Sequence, residues 1–219
     1  MKVLPGVWLS AVLVLAGGPA FALERSLELV AQAYALTSDP KRGAELFERD
    51  CSACHGQQAW GRADSAVPSL AGQRELYLLR QLADVAEQNR DIPEMHRLRI
   101  LVNPESLQDW RDLAAWLSVQ RVNPAPQHGD GKSLDLGSGI YRDACAQCHG
   151  ERGEGDDAIA SPVLAAQHYS TLLLQIRRMA AGHRYANLDF DLALMLGALD
   201  ATDMAAVADY ISRLPDSSP

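Results

Sequence analysis

This chain of 219 residues predicts an all-α protein built twice over. Apolar residues recur at helical spacing along most of its length, and no run rich in Val, Ile and Thr alternates with polar residues as a half-buried strand would. The second half repeats the first at a constant offset of 94 positions. At matching places in the two halves stands a Cys-x-x-Cys-His pentapeptide, Cys51-Ser52-Ala53-Cys54-His55 and Cys145-Ala146-Gln147-Cys148-His149, and together they use all four cysteines.

The chain starts with Met1-Lys2, an apolar stretch from Val3 to Leu15, Gly17-Gly18-Pro19 and then Ala20-Phe21-Ala22. A positive start, a short apolar core and an Ala-x-Ala site read as a secretory signal peptide over 1–22, cut after Ala22. An uncleaved anchor would need an apolar run of about 20 residues, and Gly and Pro interrupt this one. Leu27, Val30, Ala31 and Tyr34 then suggest an extra amphipathic helix ahead of the first repeat. Asp39 is a capping residue with Pro40 at the first helical position, opening a helix that carries Leu46 and Phe47 toward Cys51. Leu76, Leu79, Ala83 and Ala86 mark the next helix, and Asn103-Pro104 opens another with Leu107, Trp110, Ala114 and Leu117 on one side.

From Gln120 to Ser133 the segment holds Asn123-Pro124-Ala125-Pro126, Gly129 and Gly131, the composition of a linker. The second half then repeats the helical stripes with Leu136, Ile140 and Ala144, with Leu172, Leu173 and Ile176, and with Met204, Val207 and Ile211. The expected organisation is a first domain over 23–120, a linker over 121–133 and a second domain over 134–219. The register supports it: Gly43 falls on Gly137, Phe47 on Tyr141, Gly61 on Gly155, Pro68 on Pro162, Gln73 on Gln167, Gln81 on Gln175 and Trp116 on Tyr210. Trp110, Trp116 and Tyr210 read as core packing rather than as electron relays.

A bare Cys-x-x-Cys fits half a zinc site or a thioredoxin-like redox pair. A four-cysteine zinc site has no need of a His after each pair, and a redox motif usually occurs once, after a strand. Cys-x-x-Cys-His is the attachment signature of a c-type haem, with two thioether bonds to the porphyrin and the His as a ligand of the iron. Two motifs predict two covalently bound haem c groups, held by Cys51, Cys54 and His55 and by Cys145, Cys148 and His149. Each domain has under a hundred residues and a small core of its own, so folding and haem attachment are expected to be coupled. Attachment outside the cytoplasm agrees with the signal peptide, and the expected location is the periplasm.

The net charge of −8 becomes −9 once Lys2 is removed. That balance argues against nucleic-acid binding, which needs clustered Lys and Arg. It suits either docking to a basic patch on a redox partner or simple solubility.

Each half resembles a small class I cytochrome c, and the pair resembles the dihaem cytochrome c4 family over essentially the whole mature chain. The resemblance rests on the two haem motifs, on Pro68-Ser69-Leu70-Ala71-Gly72-Gln73 followed by Tyr77 and Gln81, and on Leu113-Ala114-Ala115-Trp116. The matching segment Pro162-Val163-Leu164-Ala165-Ala166-Gln167 lacks the Gly and the Tyr. It implies two tandem cytochrome c-like domains, each wrapped around one haem. It also implies that the carbonyls of Pro68 and Pro162 orient His55 and His149, and that a Met binds the far side of each iron.

Met95, in Ile92-Pro93-Glu94-Met95 and 40 residues after His55, is the expected sixth ligand of the first haem, with His96 as its neighbour. The same offset from Met95 lands on Asp189. For the second haem Met195, 46 residues after His149, is the first choice, with His183 or an open position as alternatives. Met179 and Met204 read as packing, His128 as a solvated linker residue, and His168 as a helix-start residue that caps its helix or contacts solvent.

The expected function is single-electron transport between a respiratory or periplasmic dehydrogenase and a terminal oxidase or reductase, with partners that include membrane-bound ones and with association at a membrane surface left open. No paired carboxylates or nucleophile constellation point to catalysis. The alternatives are a dihaem enzyme, thiosulfate dehydrogenase-like or peroxidase-like with an unusual second haem, and a dedicated haem subunit of one oxidoreductase.

Overall fold

The computed structural model describes residues 19–90, 92, 106–182 and 190–215, with side chains from residue 23 onward except those of 190–193. Among these residues the regular structure is helical, apart from two isolated β-bridges. None of the described helices is long and apolar enough to cross a membrane.

In the first half, α1 (Pro19–Tyr34) precedes α2 (Pro40–Asp50), the single turn α3 (Ser52–His55), α4 (Glu75–Ala86) and α5 (Leu107–Ser118). The cap on α2 is the expected one: the Asp39 side chain accepts from the N–H groups of Lys41 and Arg42, with Pro40 at the first turn. Helix α2 crosses α5 face to face, with Phe47 and Trp116 ring centroids 4.8 Å apart. Leu29, Ala33, Phe47, Leu79, Ala83, Trp110, Ala114 and Leu117 form the core. Asp112 on α5 is buried beneath the start of α2, where it accepts from the Asp39 N–H (2.7 Å) and from Arg42 (2.5 Å).

In the second half, α6 (Leu134–Ile140) runs into a π-helical turn over Tyr141–Cys145, followed by the turn α7 (Ala146–His149), α8 (Tyr169–Ala180), α9 (Phe190–Gly197) and α10 (Ala201–Ser212). Helix α10 opens on a capping box between Asp200 and Asp203. Tyr141 and Tyr210 stand where Phe47 and Trp116 stand in the first half, 5.6 Å apart, and join Leu172, Ile176, Val207 and Ile211 in a second core.

Two buried stripes differ from their expected phase. Helix α1 buries Ser26, Leu29, Val30 and Ala33, whereas Leu27 and Tyr34 are 45% and 50% exposed. Helix α6 buries Gly137, and Leu136 lies outside at 43%.

The expected linker is extended and helix-free but pinned along its length. Val122 and Asn123 are buried. The Asp209 carboxylate accepts from the N–H groups of Gly129 (2.9 Å) and Gly131 (2.7 Å). His128 is exposed yet lies 3.3 Å from the Ser212 hydroxyl.

The halves meet through a reciprocal cross-brace. Gln73 accepts from Val163 N–H (2.7 Å) and donates to Val163 O (3.0 Å). Gln167, its counterpart, accepts from Ser69 N–H (2.9 Å) and donates to Ser69 O (3.0 Å). Ser69 and Val163 are themselves counterparts, so the interface carries an approximate two-fold relation. Arg74 adds two bonds to the Glu154 carbonyl, and Ser170 donates to Ala63 O.

His168, expected to cap its helix or contact solvent, stands at the N-cap position without a side-chain cap bond and is buried in this interface. Its Nδ1 accepts from Gln127 N–H (3.0 Å) and its Nε2–H donates to Trp60 O (2.9 Å), so it ties the linker to both halves. Burial holds it below the usual histidine range, against the opposing pull of the Trp60 carbonyl. The unfolded chain protonates this residue near pH 6.5 and the folded protein resists, so its stabilising effect is complete above about pH 6.5 and declines as the pH falls toward the lowered folded value. The loaded wild type is therefore expected to lose more urea stability than His168→Asn between pH 7.5 and 5.5. Equal losses in the two proteins would contradict this role.

Candidate haem-attachment sites

Each site is a helix end, a turn and a loop. Cys51 caps α2 and its N–H donates to Phe47 O; one turn on, His55 N–H donates to Cys51 O (3.0 Å). This turn carries Cys51, Cys54 and His55 at neighbouring positions. Gly56 follows with φ 75° and Gly150 with φ 81°, which turns the chain away after each His.

The loop then folds back through a bridge between Arg62 and Val67, repeated 94 positions later between Asp156 and Ser161. Gly61 and Gly155, both at positive φ, make that return possible: a Cβ there would stand 2.5 Å from the Pro68 carbonyl carbon and 2.6 Å from that of Pro162. The loop delivers the Pro68 carbonyl to 2.9 Å from His55 Nδ1, and the Pro162 carbonyl to 3.1 Å from His149 Nδ1.

A carbonyl only accepts, so each Nδ1 carries the hydrogen and each Nε2 keeps its lone pair. Burial pushes both rings below the usual histidine range, opposed by the proline carbonyls, which favours the neutral ligand form. The four thiols are free. Burial first, then the charge of Asp50, pushes Cys51 up to about 12; burial, then Cys148, pushes Cys145 up to about 11. Unpaired thiols beside a His suit thioether formation to a haem. No group of three or more His, Cys, Asp or Glu gathers as a metal cage among the described residues. The donor set fits covalent haem c.

Met195 lies on α9, half-buried against the second core, and Met179 and Met204 pack against the same core. Met95, His96 and His183 lie outside the described residues. Reading the sequence alone missed the interface roles of Gln73, Gln167 and His168, and of Arg74 and Ser170 beside them. For Gln73 and Gln167 a signal existed, since a polar residue repeated at the same offset on a loop needs a reason. For His168 none did, because its counterpart at the same offset is Arg74, a different residue type.

Two helical domains, each with a free Cys pair and a neutral His behind it, define the class as a c-type cytochrome with two covalent haem c groups. The cytochrome c family model matches residues 40–119 and 134–215. Cytochrome c4 of Stutzerimonas stutzeri is 34% identical over 183 residues, covering 75% of this chain and 84% of that protein. The crystal structure of reduced recombinant cytochrome c4 from Pseudomonas stutzeri superposes with a TM-score of 0.72 at 28% identity, over 82% of this chain and all of that one. A thiosulfate dehydrogenase structure from Marichromatium purpuratum has a TM-score of 0.68 at 27% identity, over 81% of this chain but 40% of that one. The chain belongs to the dihaem cytochrome c4 family of electron carriers.

Proposed function

We propose that this protein is a periplasmic shuttle that takes single electrons from a respiratory or periplasmic dehydrogenase and delivers them to a terminal oxidase or reductase. Residues 1–22 direct its export, and the two haem domains span 23–120 and 134–219 around the linker 121–133. Cys51 and Cys54 hold the first haem with His55 as iron ligand, and Cys145 and Cys148 hold the second with His149. Met95 and Met195 are the sixth ligands. The observation that carries this reading is the repeated His–Pro contact, at 2.9 and 3.1 Å in the two halves.

Bound haem supplies a reversible one-electron iron couple in each domain. The protein's part is to hold everything around it still. The Pro68 and Pro162 carbonyls fix the tautomer and orientation of the two rings. The residues directly after them, Ser69 and Val163, are clamped by Gln167 and Gln73, so each ligand loop is braced by the opposite domain. A preorganised site needs little rearrangement when its charge changes. The acidic balance, −9 once Lys2 is removed with residues 1–22, supports docking to a basic surface.

The likeness to part of a thiosulfate dehydrogenase supports a second reading, in which the second haem is enzymatic. Potentiometric titration followed by visible spectra and low-temperature EPR separates the two. The shuttle is expected to titrate as two one-electron steps, low-spin throughout, with Met195→Ala losing half the Met-to-iron charge-transfer band and His183→Ala unchanged. A high-spin second iron that turns over thiosulfate would reverse the assignment.

A further inference from the structure

The two ligand loops repeat the backbone bridge and the His–Pro contact but differ in a side chain beside the second histidine. Ser161 Oγ lies 3.0 Å from His149 Nδ1, next to the Pro162 carbonyl at 3.1 Å. The matching residue in the first half is Val67, which has no hydroxyl, and His55 Nδ1 has the Pro68 carbonyl alone at 2.9 Å. Ser161 is 6% exposed, so water does not compete freely for this contact. Both residues close the same isolated bridge through their backbones, Arg62 with Val67 and Asp156 with Ser161, so the chain path at this point is shared.

We propose that Ser161 is a positioning residue for the second haem ligand: a second acceptor for the His149 Nδ1–H that lowers the reduction potential of the second iron. Nδ1 must carry its hydrogen to satisfy the Pro162 carbonyl, so the hydroxyl oxygen shares that hydrogen in a three-centre bond. Two acceptors draw the N–H hydrogen outward more than one does and leave more electron density on the ring. A more basic imidazole favours the ferric over the ferrous iron. The duplicated sites would thus be made unequal by one hydroxyl, and an electron's preference between the two domains would be set on the histidine side.

This inference rests on His149 being the iron ligand, and the test separates the two. In the intact dihaem protein, His149→Gly should convert the second haem from low-spin to high-spin; if it stays low-spin, the ligand assignment fails. With that established, Ser161→Val is expected to raise the second potential and leave the first in place, shifting the electron distribution toward the second haem about fivefold, the weight of one ordinary hydrogen bond. Val67→Ser should lower the first potential in the same way, and it provides the test if Ser161→Val does not fold. Proton NMR of the ligand ring N–H should move in the same variants. Unchanged potentials in a folded variant would overturn the proposal and leave Ser161 as packing.

Discussion

Replacing Cys51 and Cys54 together by alanine is expected to halve the haem content and to unfold most of residues 40–119, while the second half keeps its haem. The reason lies in the size of the first core. A domain under a hundred residues builds a small core, and among the described residues Cys51 packs directly against it. A covalent haem adds apolar contact that this core lacks. Helix α2 ends on Cys51 and supplies Phe47, so losing the haem loosens the α2–α5 crossing as well as the site. Haem content by pyridine haemochrome and hydrogen exchange by mass spectrometry check this. Exchange protection at wild-type levels across α2 and α5 without the first haem would refute the coupling. The second half should itself weaken, because Gln167 and His168 lose their partners Ser69 and Trp60.

The second large effect is steric. Gly43→Ala and Gly137→Ala are each expected to destabilise their domain by about 3 kcal/mol, the upper range for overpacking, and to lower the melting temperature by about 10 °C or more. At Gly43 a Cβ would collide with the Asp112 carbonyl and stand 2.9 Å from Trp116 Cβ; at Gly137 it would collide with the Ala206 carbonyl and stand 2.9 Å from Tyr210 Cβ. These obstacles are backbone and helix-anchored carbons at a helix crossing, so neither can swing aside. Gly139 is the control. It lies on the same helix as Gly137, yet a Cβ there would meet nothing within 4 Å. Gly139→Ala should therefore be neutral or stabilising by up to about 1 kcal/mol, since it only removes the entropic cost of a helical glycine. A thermal melt of the three loaded variants decides it, and similar behaviour of all three would discount the crossing.

The same glycines explain how much could be read without coordinates. The duplication was legible because chemistry that admits one residue type recurs at a fixed offset: Gly43 and Gly137 at the crossings, Gly61 and Gly155 against the proline loops, and the two Cys-x-x-Cys-His turns. Helix existence followed from periodicity, but phase did not. On α1 two overlapping stripes are available, and Ser26 selects between them by accepting from Asn89 Nδ2 (2.7 Å), which draws its face inward and leaves Leu27 outside. On α6 an apolar stripe through Leu136 and Ile140 competes with one through Gly137 and Tyr141, and the second wins because the smallest residue sits where the helices are closest. Composition says nothing about how the segment 121–133 is anchored, and the Asp209 carboxylate that pins Gly129 and Gly131 lies some 80 positions away. His168 was misread for the same reason, since its partners Trp60 and Gln127 belong to other segments.

The proposed shuttle holds one six-coordinate haem in each of two similar domains and exchanges electrons one at a time. Potentiometric titration of the purified wild type, followed by the visible and EPR spectra of both irons, tests it most directly. Two reversible one-electron steps of equal amplitude, with both irons low-spin at every potential and no thiosulfate oxidation, are the result expected. A single step, or a second iron that is high-spin and oxidises thiosulfate, would contradict it.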